Sequence, residues 1–281
     1  MEYTTSKATT IRYPSTANLM VDSADRNETI NPYPYDFQIV RTQSLINGYF
    51  YRIGTTEVVL EWCEPNMTYP GIGPIVFDIS GATTRSTKSV QSPEGNYTVA
   101  SLLNYICANA GANGVSFAAQ VVPSSGYVNI VSTGGKFRIF PGALASLLTL
   151  DTDAILETQK PVVGCPDLRP YRFIDIVCPT LTAVQDVKDT TTQDNDRDVL
   201  VRWYFSEDVP NPVDSLGFPI LMGYLPFQRR RIFNPPKQIK WDNIVPVGNM
   251  TFQLYNDQGQ LATSITETDT NYLMTLQLSE N

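Results

Sequence analysis

The stretch Asn271-Tyr272-Leu273-Met274-Thr275-Leu276-Gln277-Leu278 sets the fold class. Tyr272, Met274, Leu276 and Leu278 share one side of an extended chain, while Asn271, Thr275 and Gln277 share the other, the pattern of a half-buried antiparallel strand. Similar alternation recurs at 57–62, 171–178, 199–205, 238–244 and 250–255. In the 199–205 run, Val199, Val201, Trp203 and Phe205 make one wholly apolar face and Leu200, Arg202 and Tyr204 a mixed one, so both faces meet protein. Turn chemistry separates the runs: Pro65-Asn66, Val209-Pro210-Asn211-Pro212, Asn234-Pro235-Pro236 and Asn256-Asp257-Gln258-Gly259. Strands joined by unequal loops, with no heptads and no repeated βα unit, predict a β-sandwich, and the long returns favour jelly-roll wiring over a meander.

The middle of the chain follows other rules. Ile75, Phe77 and Ile79 alternate as a strand, and a helix then begins after Thr98, a suitable N-cap although Ser101 stands where a capping box needs Glu or Gln. Val99, Leu102, Leu103 and Ile106 make one apolar helix face, and Ala110-Gly111 supplies a stop. Strands are expected at 115–122, 127–131 and 137–140, linked by Ser124-Ser125-Gly126 and a Gly134-Gly135 hairpin turn, with a second helix at 143–150. The expected architecture is mainly β: a jelly-roll sandwich (35–70 and 160–281) carrying an inserted small α+β domain (71–159) and preceded by an extended N-terminal arm (1–34).

Composition agrees with that class. A chain of 281 residues can bury roughly 75% of its unfolded surface. Charged residues make up 17% of it, with 20 prolines and 17 glycines, which favours strands and turns over helices. With 20 basic and 28 acidic side chains the net charge is -8, which argues against coating nucleic acid. Only the arm, with Lys7 and Arg12 against Glu2, could make such a contact. No run approaches a membrane span or a signal peptide, so a soluble protein made in the cytosol is expected. Cys63, Cys107, Cys165 and Cys178 form no C-x-x-C pair and are expected to be reduced, buried thiols.

The N-terminal region supplies a more specific sign. Val21-Asp22-Ser23-Ala24-Asp25-Arg26-Asn27 precedes Asn31-Pro32-Tyr33-Pro34-Tyr35-Asp36-Phe37-Gln38-Ile39, whose prolines hold the junction extended. This D-S-x-D-R-N segment ahead of P-x-D-F-x-I resembles the opening of the single-jelly-roll penton and minor capsid proteins of virophages, polinton-like viruses and related large DNA viruses. Two further pieces match in order. Glu94-Gly95-Asn96-Tyr97-Thr98 with Leu102-Leu103-Asn104-Tyr105-Ile106 and the terminal Ala143–Leu150 segment is similar to an insertion those proteins carry. Ile239-Lys240-Trp241 followed by Phe252-Gln253-Leu254 and Gly259 is similar to their last sandwich strands. The stretch 209–235 has no counterpart.

The resemblance implies a structural virion protein without enzymatic activity or cofactor. It implies a homopentameric ring at the fivefold vertices of an icosahedral capsid, seated among major capsid protein capsomers and possible minor capsid proteins. It places the protein in the virion, made in the host cytosol or a viral factory. Alternatives are a cement protein between capsomers, or a carbohydrate- or receptor-binding sandwich in which Trp62, Trp203 or Trp241 stacks on a sugar.

Catalytic chemistry finds little footing. The chain has no histidine, which removes Ser-His-Asp and Cys-His mechanisms and most zinc or iron ligation. The pairs Asp22/Asp25 and Asp151/Asp153 read as solvated or capping acids. Asp194-Asn195-Asp196-Arg197-Asp198 starts like a calcium loop but has Val199 and Phe205 where glycine and glutamate are required. No metal site is expected. Interface candidates are Asp22, Asp25, Arg26 and Asn27, which could lock onto a neighbour by charge-assisted hydrogen bonds, and Arg229, Arg230 and Arg231 between Phe227 and Phe233.

Overall fold

The computed structural model describes residues 16–40, 50, 52–67, 72–122, 127–182, 199–205, 213–221, 224–240, 248–262 and 271–279. In chain order the elements are β1 (Thr16–Asp22), β2 (Asp36–Val40), β3 (Arg52–Trp62), β4 (Ile75–Ser80), β5 (Arg85–Val90), α1 (Val99–Ala110), β6 (Ser116–Val121), β7 (Val128–Thr133), β8 (Lys136–Ile139), α2 (Ala143–Leu147), β9 (Gln159–Pro161), β10 (Phe173–Val177), α3 (Pro179–Thr182), β11 (Val199–Tyr204), β12 (Phe227–Lys240), β13 (Asn249–Asn256) and β14 (Tyr272–Ser279).

Two four-stranded antiparallel sheets, ordered β1-β14-β3-β12 and β11-β10-β13-β2, form the sandwich. Successive strands cross from one sheet to the other except at the β10–β11 pair, which is jelly-roll wiring. The alternation in β14 is realised in full: Tyr272, Met274, Leu276 and Leu278 are buried and the residues between them are not. They meet Phe37, Phe252, Trp62 and Ile174 in one core. Phe37 and Phe252 are register partners with ring centroids 5.6 Å apart, and Trp62 packs edge-on against Phe205 at 4.8 Å. Each such fully buried side chain stabilises the fold by about 1.5–3 kcal/mol before packing losses.

Between β3 and β10 the chain builds a separate α+β unit with its own core. Its strands form sheets ordered β5-β4-β8 and β6-β7-β9, with Phe77, Phe137 and Ile130 buried against Leu102, Leu103 and Ile106 of α1. Thr98 caps α1 by accepting from the Ser101 amide at 3.2 Å. A second cap comes from far along the chain, because Asp214 Oδ2 accepts from the Ala100 amide at 2.8 Å. Leu216, Phe218, Leu221 and Tyr224 also pack on this core, so this part of the stretch that had no counterpart buttresses the insertion, while its end, from Phe227, belongs to β12 of the sandwich.

Several sequence expectations need correction. Thr16–Asp22, read as arm, is an edge strand in register with β14 and buries Val21; its pattern is weak because an edge strand hides little else. Asn234-Pro235-Pro236 does not precede a strand but lies within β12. There the ladder jumps from Ile232↔Glu57 to Lys237↔Thr55, and a bulge on an edge strand tolerates prolines that lack an N–H. Gly134-Gly135 links strands of different sheets and makes no hairpin; Gly134 has φ 89 and a Cβ on Gly135 would lie 2.4 Å from Ser80 O. The second helix stops at Leu147, and Thr149 adopts φ 51. Cys107 and Cys178 are buried thiols as expected, but Cys63 and Cys165 are exposed, and all four are free. The acidic 186–198 loop, the arm residues 1–15 and Trp241 lie outside the described residues.

Candidate assembly surfaces

The first candidate surface surrounds the turn after β1. Asp22 ends the strand and accepts from the Ala24 amide at 2.9 Å, capping the short 3-10 turn Ser23–Asp25. Ser23 is buried; its Oγ accepts from the Tyr272 amide at 2.8 Å and donates to Asn271 Oδ1 at 3.3 Å. Arg26 is only 8% exposed, and its guanidinium donates to Ser23 O at 2.9 Å, Asn271 Oδ1 at 3.3 Å and Pro32 O at 3.2 Å. Asn27 Oδ1 accepts from the Thr29 amide at 3.1 Å, and Asn31 clasps both backbone groups of Gln38.

The D-S-x-D-R-N segment is thus an internal clasp joining β1, β2 and β14, with Arg26 turned inward. Asp25 and Asn27 remain exposed. Together with Asp22 they line a cleft of about 300 Å³ beside Met20, Ile30 and Val40. Those three apolar side chains are exposed, which gives the β1/β2 rim an apolar patch edged by carboxylates.

The second surface is β12, at the edge of its sheet. Strand alternation splits the arginine triplet between two faces. Arg229 and Arg231 share the half-buried face with Phe227 and Phe233, which pack on the sandwich core, and the Arg231 guanidinium carbon lies 4.9 Å from the Phe233 ring centroid. Arg230 points outward and grips Glu57 of β3 with two hydrogen bonds of 2.5 and 2.9 Å, a bidentate pair that raises its own pKa. Inward arginines, the proline bulge and the outward charge all discourage indiscriminate strand addition at this edge.

The remaining sequence candidates settle as structure. Asp151 and Asp153, with Glu157, surround the ammonium of Lys160, which has 0% exposure; Asp151 Oδ2 lies 3.6 Å away and Glu157 Oε2 3.4 Å, and Asp153 hydrogen-bonds it directly. Sequence reading found the acid pair but not the buried lysine, which lies downstream of both acids and carried no local signal. Trp62 and Trp203 are 1% and 3% exposed, so neither offers a face to a sugar. Among the described residues no group of three or more acidic or thiol side chains is placed to hold a metal ion, and no helix is long and apolar enough to cross a membrane.

One buried acid was not singled out in the sequence. Glu64, just past β3, is 5% exposed, and burial pushes its carboxyl up to about 7. It lines a cleft where the sandwich and the insertion meet. Its sequence surroundings, Cys63-Glu64-Pro65-Asn66, read as a turn, so nothing local marked it.

No family model matches the sequence, and no curated protein matches it. Among solved structures, the crystal structure of selenomethionine-labelled mavirus penton protein is similar, with a TM-score of 0.53 at 13% sequence identity, over 95% of this chain and 99% of that one. The likeness takes in the sandwich and the insertion together, and the chain therefore shares the fold of that protein.

Proposed function

We propose that this chain is a structural virion protein, a penton that assembles as a homopentameric ring at the fivefold vertices of an icosahedral capsid and sits among major capsid protein capsomers. The observation that carries the reading is the end-to-end fold likeness to a penton protein, insertion included. It is supported by the three motif resemblances, which lie at the start, middle and end of the same framework. A jelly roll suits the role because its wedge-like sandwich can pack side by side about an axis through a heterologous contact that closes.

In this reading the contacts lie on the sandwich flanks. Asp22, Asp25 and Asn27 with the apolar β1/β2 rim form one flank, and Arg229, Arg230 and Arg231 on β12 the other. β1 and β12 are opposite edges of one sheet, as a head-to-tail ring requires, and the first flank is acid-edged while the second is basic. Arg26 lines the same cleft and supports the first flank from inside.

Negative-stain class averages of the purified protein test the proposal. Fivefold rings are expected. Monomers at high protein concentration, or rings of another symmetry, would overturn the penton reading and favour a cement role between capsomers.

A further inference from the structure

Two connections join the sandwich to the insertion: Cys63–Met67 leaving β3, and 166–171 returning towards β10. They flank a cleft of about 260 Å³ whose walls include Ile72, Leu147, Leu168, Pro65 and Pro170. Clefts between two packed units are common places for ligands.

The polar side chains of this cleft are already occupied, with one exception. Asn66 donates through Nδ2 to Tyr97 O at 2.7 Å and accepts through Oδ1 from the Tyr97 amide at 2.9 Å. Arg169 holds Asp167 with bonds of 2.8 and 2.5 Å. The Tyr171 hydroxyl is hydrogen-bonded to Asn256. The exception is Glu64: it is 5% exposed, lines the cleft, and burial alone raises its carboxyl, with no hydrogen bond or cation contributing.

A largely buried carboxylate is costly to ionise, and a cation that meets it offsets part of that cost. A divalent metal would need several hard oxygen ligands, and Glu64 belongs to no group of acidic side chains that could supply them among the described residues. A cationic head on an apolar stem suits the site better, because the aliphatic and proline walls can take the stem while the charge reaches the acid. We infer that this junction cleft binds a primary ammonium group on a short alkyl stem, with Glu64 as its counter-ion. The source is a lysine side chain of another protein or a free alkylamine, and the site is independent of the assembly reading.

The titration of the site is simple. Tyr171 is pushed up to about 12 by burial and by Glu64, and Cys63 is raised by burial and by the Glu61 and Glu64 charges, so both stay neutral near pH 7. Asp167 is held below the usual carboxylate range and Arg169 above its usual value, so that pair stays ionised. Among the described groups, Glu64 is the one whose charge changes near pH 7.

The test is a titration of methyl-labelled protein followed by NMR at Ile72, Leu147 and Leu168. Butylammonium chloride is expected to shift these methyls saturably at pH 8 and to bind roughly thirtyfold more weakly at pH 5.5, where Glu64 is mostly protonated. Butanol at the same concentration should leave them in place, and Glu64→Gln should weaken butylammonium at least tenfold while the other methyl signals keep their positions. Equal shifts with butanol, full binding by the Gln variant, or no pH dependence would each overturn the inference. Nα-acetyl-lysine amide separates the sources: if it binds like butylammonium the site takes a protein lysine, and if it is refused the site takes a free amine.

Discussion

Arg26 donates to Asn271 Oδ1 at 3.3 Å, tying the turn after the first sandwich strand to the residue that leads into the last. The same guanidinium holds Ser23 O and Pro32 O, so one buried cation fixes both ends of its own turn to a residue 245 positions away. Its partners include these carbonyl and amide oxygens, and the Glu28 carboxylate lies 3.7 Å away.

Arg26→Ala should therefore behave as a stability variant. It leaves buried acceptors unmet and is expected to cost on the order of 2–4 kcal/mol in urea denaturation. Arg26→Lys should recover only part of that, since one ammonium cannot span the same acceptors. If instead the Ala variant keeps its denaturation midpoint but loses rings, Arg26 acts between subunits and the internal clasp is not its role.

Glu64 gives the stability curve a definite slope. Its carboxyl rises from 4.5 unfolded to about 7 folded because of burial, so the folded state prefers the proton. The resulting contribution is complete below pH 4.5 and is lost as pH climbs through about 7. Glu64→Gln removes the loss, and should be more stable than the parent at pH 8 by up to about 3 kcal/mol, with little difference at pH 4. Melting curves of both proteins across that range check it; parallel curves would contradict the burial argument.

Lys160 makes the opposite kind of prediction. Burial works against its charge, but the Asp153 hydrogen bond and the charges of Asp151 and Glu157 outweigh it and raise its pKa. Asp153 is correspondingly lowered, chiefly by its bond to Lys160, so its contribution holds above the ordinary carboxylate range and fades as pH falls through the depressed value. Lys160→Met leaves three acids facing one another and is expected to lower Tm by roughly 5–10 °C at neutral pH. Acidification should narrow the gap, because protonating those acids relieves their repulsion. A variant that melts like the parent at neutral pH would show that the cage contributes nothing.

What could be read in advance followed from periodicity. Strands with a fully apolar face, such as Tyr272–Ser279 and Val199–Tyr204, and the helix face of Leu102, Leu103 and Ile106 declare themselves because burial is one-sided and regular. Strands that bury little do not: Arg85–Val90 has a single buried residue, and Thr16–Asp22 exposes most of its length. Long-range satisfaction was equally hidden. Asp214 capping α1, and Lys160 among its acids, depend on packing that no local spacing encodes. The D-S-x-D-R-N segment was visible as a motif, yet its physical reason is Asn271, almost the whole chain away.

The arginine triplet separates fold from assembly most cleanly at Arg230. Its side chain is exposed, faces away from the sandwich core and pairs across the strand with Glu57, while Arg229 and Arg231 lie on the other, half-buried face. Exposed pairs of this kind contribute little to stability, so Arg230→Glu should leave the denaturation midpoint nearly unchanged. It would, however, set two carboxylates side by side at the edge proposed to meet an acid-edged neighbour. Ring formation should then fall, and the loss should be greatest at low salt, where repulsion between exposed charges is least screened. Sedimentation velocity at two ionic strengths reads both effects. Rings that persist in the variant at low salt would remove β12 from the contact and leave the β1/β2 rim to find a different partner surface.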